Sequence, residues 1–389
     1  MKTKIKRIPY GKQWIGKEEL RAMAAVLKSD FLTQGPKVQE LETRLAKTVR
    51  AKYAVAVANG TAALHLAAIA IGLKPGDEVI TTPISFIATS NAALYVGAKP
   101  VFVDIDPETQ CLDPKLIEAK ITPKTKAVFV TDFAGHPADL RAIYRIAQKH
   151  HLIVVEDACH ALGATYNKHK VGACTHSDLA VFSFHPVKHI TTGEGGAITT
   201  NNRVLYERLT ELRTHGVTRD PQKLLNREAG PWYYEMQNLG FNYRMTDIQA
   251  ALGIEQLKKL GRFVARRRKI AARYRKAFHS LSFFKIPNEQ FQNTHVYHIY
   301  PIRLQGKLVS KRKEIFQELQ KRGLGVQVHY IPIPSQPYYA KLGYSIKDCP
   351  KAEAYYRSAI TIPIFPKMTD REIGSVIKIV ASVVRSYSK

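Results

Sequence analysis

The chain is poor in cysteine, in long hydrophobic runs and in acid. Only four cysteines occur in 389 residues, Cys111, Cys159, Cys174 and Cys349. No two stand at metal-ligand spacing, so neither a metal site nor a disulfide framework is written into the sequence, and a reducing cytoplasm is the expected compartment. The most apolar helical stretch, Ala62 to Leu73, is interrupted by His65 and falls far short of the ~20 residues that span a bilayer, so no membrane span is expected. The opening segment MKTKIKRIPYGKQWIGKEEL is basic but has no apolar core or small-residue cleavage site, which argues against secretion. Internal repeats, low-complexity tracts and long flexible linkers are missing too.

The shortage of acid, 32 Asp plus Glu against 59 Lys plus Arg, leaves a formal charge of +27. Such a field favours anionic partners, either nucleic acid or a diphosphate substrate. The basic residues are spread along the chain apart from one cluster, Arg262, Arg266, Arg267, Arg268 and Lys269, within a helical stretch. No nucleic-acid motif or aromatic ladder accompanies it, so this cluster is expected to be a solvated face and no nucleic-acid partner is expected.

What is present is the composition of a folded enzyme, 45% hydrophobic and 23% charged, in a chain long enough for two domains. Short β-branched runs at 53–58, 78–82, 100–104, 127–131, 152–156 and 179–184 are expected to be buried parallel strands. Helical patterns at 61–72, 85–96 and 138–151 alternate with them, as in a wound α/β domain whose ligands bind outside the carboxyl ends of the strands. From about Thr246 the pattern changes to one long helix followed by mixed elements. The expected division is a large α/β domain over 1–250 and a smaller C-terminal α+β domain over 251–389. Pro332, Pro334 and Pro337 stiffen a loop in the second part.

Three segments carry chemistry. In AVAVANGTAALHLAA a strand ends at Asn59-Gly60 and a helix begins near Thr61. Its free N–H groups could hold a phosphate, although the same residues also serve as an ordinary turn and cap. In LIVVEDACHALGA, Asp157 emerges from an apolar run, where it either caps the next segment or pairs with a cation such as a protonated pyridine. In DLAVFSFHPVKHITTGEGGAITT, Lys188 follows a strand end and could form a Schiff base if its neighbours supply neutral amine; an exposed structural lysine is the alternative. His185 and His189 are expected to be loop hydrogen-bonders, no metal site is expected, and GEGG lacks the spacing of a dinucleotide fingerprint.

In order and context, NGTAALHLA, TTPISFIATSNAALYVGAKPVFVDID, EDACHALGA, FSFHPVKHITTGEGGAI and GFNYRMTDIQAALGIEQL resemble the DegT/DnrJ/EryC1/StrS family of sugar aminotransferases. The resemblance covers nearly the whole chain. It implies the type I aspartate-aminotransferase fold, pyridoxal 5'-phosphate (PLP) as cofactor, and a homodimer with active sites shared between subunits. It makes Lys188 the Schiff-base lysine and Asp157 the partner of the pyridine nitrogen. Phe86 stacks on the cofactor ring, Gly60, Thr61, Ala62 and Ser183 surround its phosphate, Asn242 reaches it from the neighbouring subunit, and His160 faces the ring's oxygen side. Tyr10, Thr33 and Gln34 of FLTQGP, His185, and His329 and Tyr330 of VQVHY belong to regions that frame the sugar nucleotide.

Within the family, TQGP, TTPISFIAT, GEGG, GFNYRMTDIQAALG and VQVHYIPI look most similar to the branch serving pseudaminic acid synthesis. That implies transfer of an amino group, with L-glutamate as donor, to C4 of UDP-2-acetamido-2,6-dideoxy-β-L-arabino-hex-4-ulose. Nothing in the spacing separates C3 from C4 amination, and other nucleotide keto-sugars, of bacillosamine, perosamine or aminoarabinose type, stay open. A related sugar dehydratase carries histidine in place of the lysine, which Lys188 opposes. A non-catalytic regulator or nucleic-acid binder on the same fold is opposed by Lys188, Asp157, Ser183 and Asn242 together. The segment 213–240, rich in basic and aromatic residues, has no role legible in the sequence.

Overall fold

A computed structural model describes residues 7–289 and 293–388, so the first six residues of the basic opening segment lie outside it. Its centre is a seven-stranded sheet of β1 (Tyr53–Val57), β2 (Glu78–Thr81), β3 (Lys99–Phe102), β4 (Thr125–Thr131), β5 (Ile153–Asp157), β8 (Leu179–Ser183) and β9 (Gly196–Thr200). The spatial order is β1-β9-β8-β5-β4-β2-β3. All six expected strands are there, and they share one direction. The seventh, β9, was not expected and runs antiparallel to both β1 and β8, so those two do not bond to each other. Strands such as β4 and β5 are buried on both faces, which is why they appear in the sequence as unbroken apolar runs.

Helices cover both faces: α1 (Lys17–Leu27), α2 (Pro36–Val49), α3 (Gly60–Ala70), α4 (Ala88–Tyr95), α5 (Leu140–Lys149) and α6 (Arg203–Leu212). Helix α4 is shorter than the expected 85–96, and Ser85, Phe86 and Ile87 form the turn that leads into it. Two short ladders lie off the main sheet. One joins β6 (Thr165–Tyr166) to β7 (His169–Lys170) and to β13 (Asn293–Thr294); the other is the hairpin β10 (Val217–Thr218) and β11 (Glu235–Met236).

Helix α7 (Asp247–Phe278) is 32 residues long and starts where the sequence pattern changes, at Thr246. A capping box fixes that start: the Gln249 N–H donates to Thr246 Oγ1 at 3.2 Å and the Thr246 N–H donates to Gln249 Oε1 at 2.9 Å. The division expected after residue 250 thus falls in the first turn of this helix. Of the basic cluster on α7, Arg267 is a correction. It is 1% exposed rather than solvated, because it falls on the same helix face as Phe263, Ile270, Ala271 and Tyr274. Its Nη1 donates to the carbonyls of Tyr297, His298 and Ile364 at 3.0–3.1 Å.

The C-terminal part holds a three-stranded sheet of β12 (Phe284–Lys285), β14 (Tyr300–Leu304) and β15 (Ala359–Ile362), with α8 (Arg312–Lys321), α9 (Pro337–Lys341), α10 (Pro350–Ser358) and α11 (Asp370–Ser388). Its core gathers Ile302, Ile315, Leu324, Ile360 and Val380. Ile8 packs into this core, far from it in sequence. The Ile8 N–H donates to the Gly323 carbonyl at 2.9 Å, the Gly325 N–H donates to the Ile8 carbonyl at 2.7 Å, and the Ile364 N–H donates to the Tyr10 carbonyl at 3.1 Å. Among the described residues, no helix is long and apolar enough to cross a membrane.

Candidate active site

The carboxyl ends of the parallel strands open into a cavity of about 1000 Å³. Twelve of the residues singled out in the sequence line it. Gly60, Thr61 and Ala62 begin α3; Phe86 stands ahead of α4; Asp157 ends β5, with His160 one turn on; Ser183 ends β8, and His185 and Lys188 follow it. Tyr10, His329 and Tyr330 close the side nearest the C-terminal core.

Three singled-out residues are not among its walls. Thr33 and Gln34 are exposed, with Thr33 bridged to Thr246 and Gln34 beside a separate basin near Arg219 and Arg244. Asn242 is exposed and bridged to Thr214. Within one chain these side chains lie away from the cavity that holds Lys188.

The start of α3 has the donors of an anion site. Asn59 Oδ1 accepts the Ala62 N–H at 2.8 Å, so the cap already uses one of the amides expected to hold phosphate. The Gly60 and Thr61 N–H groups meet no acceptor among the described residues, and they point along a helix dipole. A Cβ on Gly60 would come within 2.9 Å of Ser183 Cβ and 3.2 Å of Ser183 Oγ. Glycine is what lets the helix start approach that hydroxyl.

Asp157 is 4% exposed. Its Oδ2 accepts from Thr89 Oγ1 at 2.5 Å, and its Oδ1 from the Cys159 N–H at 3.2 Å. Behind Thr89 stand two more buried hydroxyls: Ser85 Oγ is 2.8 Å from Thr89 Oγ1, and Thr131 Oγ1 donates to Ser85 Oγ at 3.1 Å. Sequence reasoning missed all three. Their only signal is polar residues at positions that the strand and helix patterns would fill with apolar ones.

Lys188 is half-buried, and its amine has no hydrogen bond or ion pair among the described residues. Burial holds its pKa below the usual lysine value, with the nearby charge of Asp157 acting in the opposite direction. A larger share of neutral amine is what a carbonyl-attacking lysine needs.

His160 is buried among rings. It lies 4.3 Å, centroid to centroid, from His298, and its Nε2 is 3.0 Å from Tyr330 Oη, while its Nδ1 has no partner among the described residues. Burial, and then the charge of Lys188, push its pKa well below the usual histidine value, so it is neutral. His189 does not enter the cavity lining; its Nε2 bonds the His160 carbonyl at 2.9 Å. His298 lines the cavity and was not anticipated. Phe86 is 54% exposed and lines the cavity.

These features fit PLP. Two unpaired amides, Thr61 and the Ser183 hydroxyl suit its phosphate; Asp157 suits a protonated ring nitrogen; the exposed face of Phe86 suits a flat ring; and Lys188 suits its aldehyde. Among the described residues no group of three or more His, Cys, Asp or Glu could hold a metal ion.

Comparison with known proteins agrees with that fit. The family model of the DegT/DnrJ/EryC1/StrS aminotransferases matches residues 13–381. The spore coat polysaccharide biosynthesis protein SpsC of Bacillus subtilis is 40% identical over 381 residues, 97% of each chain. The structure of Helicobacter pylori PseC, an aminotransferase involved in the biosynthesis of pseudaminic acid, superposes with a TM-score of 0.91 at 31% identity, covering 98% of this chain and 100% of that one. The PLP form of the sugar aminotransferase Spr1654 from Streptococcus pneumoniae gives a TM-score of 0.91 at 32% identity, covering 98% and 99%. The fold is therefore the type I fold of PLP-dependent enzymes. With the family matched over nearly its whole length, the chain belongs to the DegT/DnrJ/EryC1/StrS aminotransferases and is a PLP-dependent sugar aminotransferase.

Proposed function

We propose that the chain moves an amino group from L-glutamate to C4 of UDP-2-acetamido-2,6-dideoxy-β-L-arabino-hex-4-ulose, giving UDP-4-amino-4,6-dideoxy-N-acetyl-β-L-altrosamine for pseudaminic acid synthesis. The observation that carries the reaction class is the convergence of Lys188, Asp157 and the open start of α3 on one cavity. The likeness to PseC supports the sugar.

In this reading Lys188 Nζ would hold the cofactor's aldehyde carbon, Asp157 would pair with its ring nitrogen, Phe86 would cover the ring, His160 would serve its oxygen side, and Gly60, Thr61, Ala62 and Ser183 would hold its phosphate. When bound, PLP supplies an electron sink that stabilises negative charge on the carbon being deprotonated. Lys188 Nζ, an amine whose pKa burial lowers, would take the proton from Cα of glutamate and, in the second half-reaction, return one to C4 of the sugar. Tyr10, His185, His329 and Tyr330 bound the space left for the substrate. Asn242, lying away from its own cavity, reaches the site of a second copy in a homodimer, and Thr33 and Gln34 are assigned to the substrate side there. The high positive charge draws in the nucleotide diphosphate.

A second reading has one specific support. SpsC is more alike in sequence, at 40% identity, than PseC at 31%, and its name ties it to a spore coat polysaccharide without naming pseudaminic acid. On that reading the acceptor is another nucleotide keto-sugar, with the same residues performing the same transfer.

The test is the visible absorption of the PLP-loaded protein. Glutamate should bleach the band of the covalently held cofactor, and the correct keto-sugar should restore it. A panel of UDP-, GDP- and dTDP-linked keto-sugars separates the two readings. No bleaching by any amino acid would sink aminotransfer itself.

A further inference from the structure

The hydroxyls of Thr131, Ser85 and Thr89 form a row that ends on Asp157, and they come from three separate elements: the end of β4, the turn before α4, and α4 itself. All four residues are at most 4% exposed. A hydroxyl has one hydrogen to give, which fixes the polarity of the row. Thr89 Oγ1 gives its hydrogen to Asp157 Oδ2, at 2.5 Å a far shorter contact than the 3.3 Å to the Phe86 carbonyl. Thr89 Oγ1 is then an acceptor toward Ser85, so the Ser85 hydroxyl points at it across 2.8 Å. Ser85 in turn accepts from Thr131 at 3.1 Å. Three O–H dipoles thus line up head to tail with their positive ends toward the carboxylate, and each bond polarises the next.

We propose that Thr89 is a positioning residue for the cofactor. Its hydroxyl pins Asp157 Oδ2 inside the protein, at the end of the Ser85 and Thr131 row, so that Asp157 keeps one orientation and the ring nitrogen of PLP meets a preset partner. The inference rests on the reading of Asp157 as that partner. Without the row, a carboxylate at a strand end has two free torsions and one remaining backbone donor, the Cys159 N–H at 3.2 Å. An unanchored Asp157 would have to be ordered by the cofactor, at the expense of affinity. The connection also explains why three hydroxyls occupy positions where the surrounding core is Ile80, Ile84, Val128 and Val130.

The experiment measures PLP binding by the apoenzyme with Thr89→Val, Thr89→Ser and Asp157→Asn. Readouts are the PLP dissociation constant, the pH midpoint of the bound cofactor's visible band, and thermal unfolding of the apoenzyme. Thr89→Val is nearly isosteric and removes the hydroxyl, both the donor to Asp157 and the acceptor for Ser85. It should weaken PLP roughly 10- to 100-fold, the range for a hydrogen bond to a charged group, and shift the pH midpoint; Thr89→Ser should restore both. If Thr89→Val lowers apoenzyme stability but leaves the PLP constant and the midpoint at wild-type values, the hydroxyl is only structural and the proposal is overturned. Failure of Thr89→Ser to recover what Thr89→Val loses also overturns it. Wild-type PLP binding in Asp157→Asn would instead remove the underlying reading of Asp157, which keeps the two failures distinct.

Discussion

Tyr330 Oη lies 3.0 Å from His160 Nε2, and the two rings stack at 19° with centroids 5.9 Å apart. Burial raises the Tyr330 pKa and lowers that of His160, so the pair meets as neutral phenol and neutral imidazole. One member comes from the segment after β5 and the other from the C-terminal part, so this bond joins two walls of the cavity. Tyr330→Phe keeps the stack and removes the bond, which is worth about 1 kcal/mol. We expect kcat/KM for the keto-sugar to fall about 5- to 10-fold, with thermal unfolding close to wild type. Unchanged steady-state kinetics would count against a role for the hydroxyl.

Lys188→Ala should abolish covalent retention of PLP after borohydride reduction, read as loss of the mass increment on the intact chain. Losing the amine proposed to carry the proton should also slow turnover by at least about 10²- to 10⁴-fold. Full turnover by this variant is incompatible with the proposed chemistry.

Acid should unfold the protein through its buried histidines. Burial pushes His189 down from an ordinary 6.5 to about 3, and His329 to about 4. Over that interval the unfolded chain binds protons that the folded chain does not. The stability these residues contribute is complete above pH 6.5 and drains as pH falls toward their folded values, at about 1.4 kcal/mol per pH unit for each group. Urea unfolding at pH 7.5, 6.0 and 5.0 measures the slope, and His189→Gln should make it shallower.

An opposite slope is expected from two acids behind the cavity. Asp132 and Glu156 are both buried near each other, Asp132 Oδ2 and Glu156 Oε1 have no hydrogen-bond partner among the described residues, and burial raises both groups, Glu156 from 4.5 to about 7. The folded chain holds protons here that the unfolded chain releases, so this contribution is complete below pH 4.5 and is lost as pH rises through about 7. Glu156→Gln has nothing to titrate at that position. Its stability should vary less between pH 5 and 8 than that of the wild type; identical curves would show that the pair does not share a proton.

Much of this was legible beforehand, for a physical reason. A strand buried on both faces must be apolar throughout, so β1, β2, β4, β5 and β8 announced themselves, and Asp157 and Lys188 stood out as charges placed at or past the ends of such runs. Strand β9 did not, because its segment opens with glycines and two of the five residues in its run GAITT are threonine. Sequence periodicity reports burial but not the partner. Thr89, Ser85 and Thr131 therefore looked like incidental polar residues until the fold brought them to Asp157. Arg267 was misjudged for the converse reason: a run of arginines suggests solvent, and only the angle around α7 shows that one of them turns inward to three carbonyls. Thr33, Gln34 and Asn242 came from resemblance alone, and in a single chain they stand away from the cavity.

The pairing of residues 8–10 with the C-terminal core gives the cavity walls drawn from opposite ends of the chain. Tyr10 is stitched to the part that carries His329 and Tyr330, whereas Lys188, Asp157 and Gly60 are mounted on the ends of the main sheet. The two sides are tied to each other by the Tyr330–His160 contact, by the Ile333 N–H donating to the Pro83 carbonyl, and by an apolar core that joins Ile80 and Val128 to Ile333 and Tyr355. Two probes, one near Tyr10 and one near Lys188, would therefore act as a caliper on the space a substrate fills.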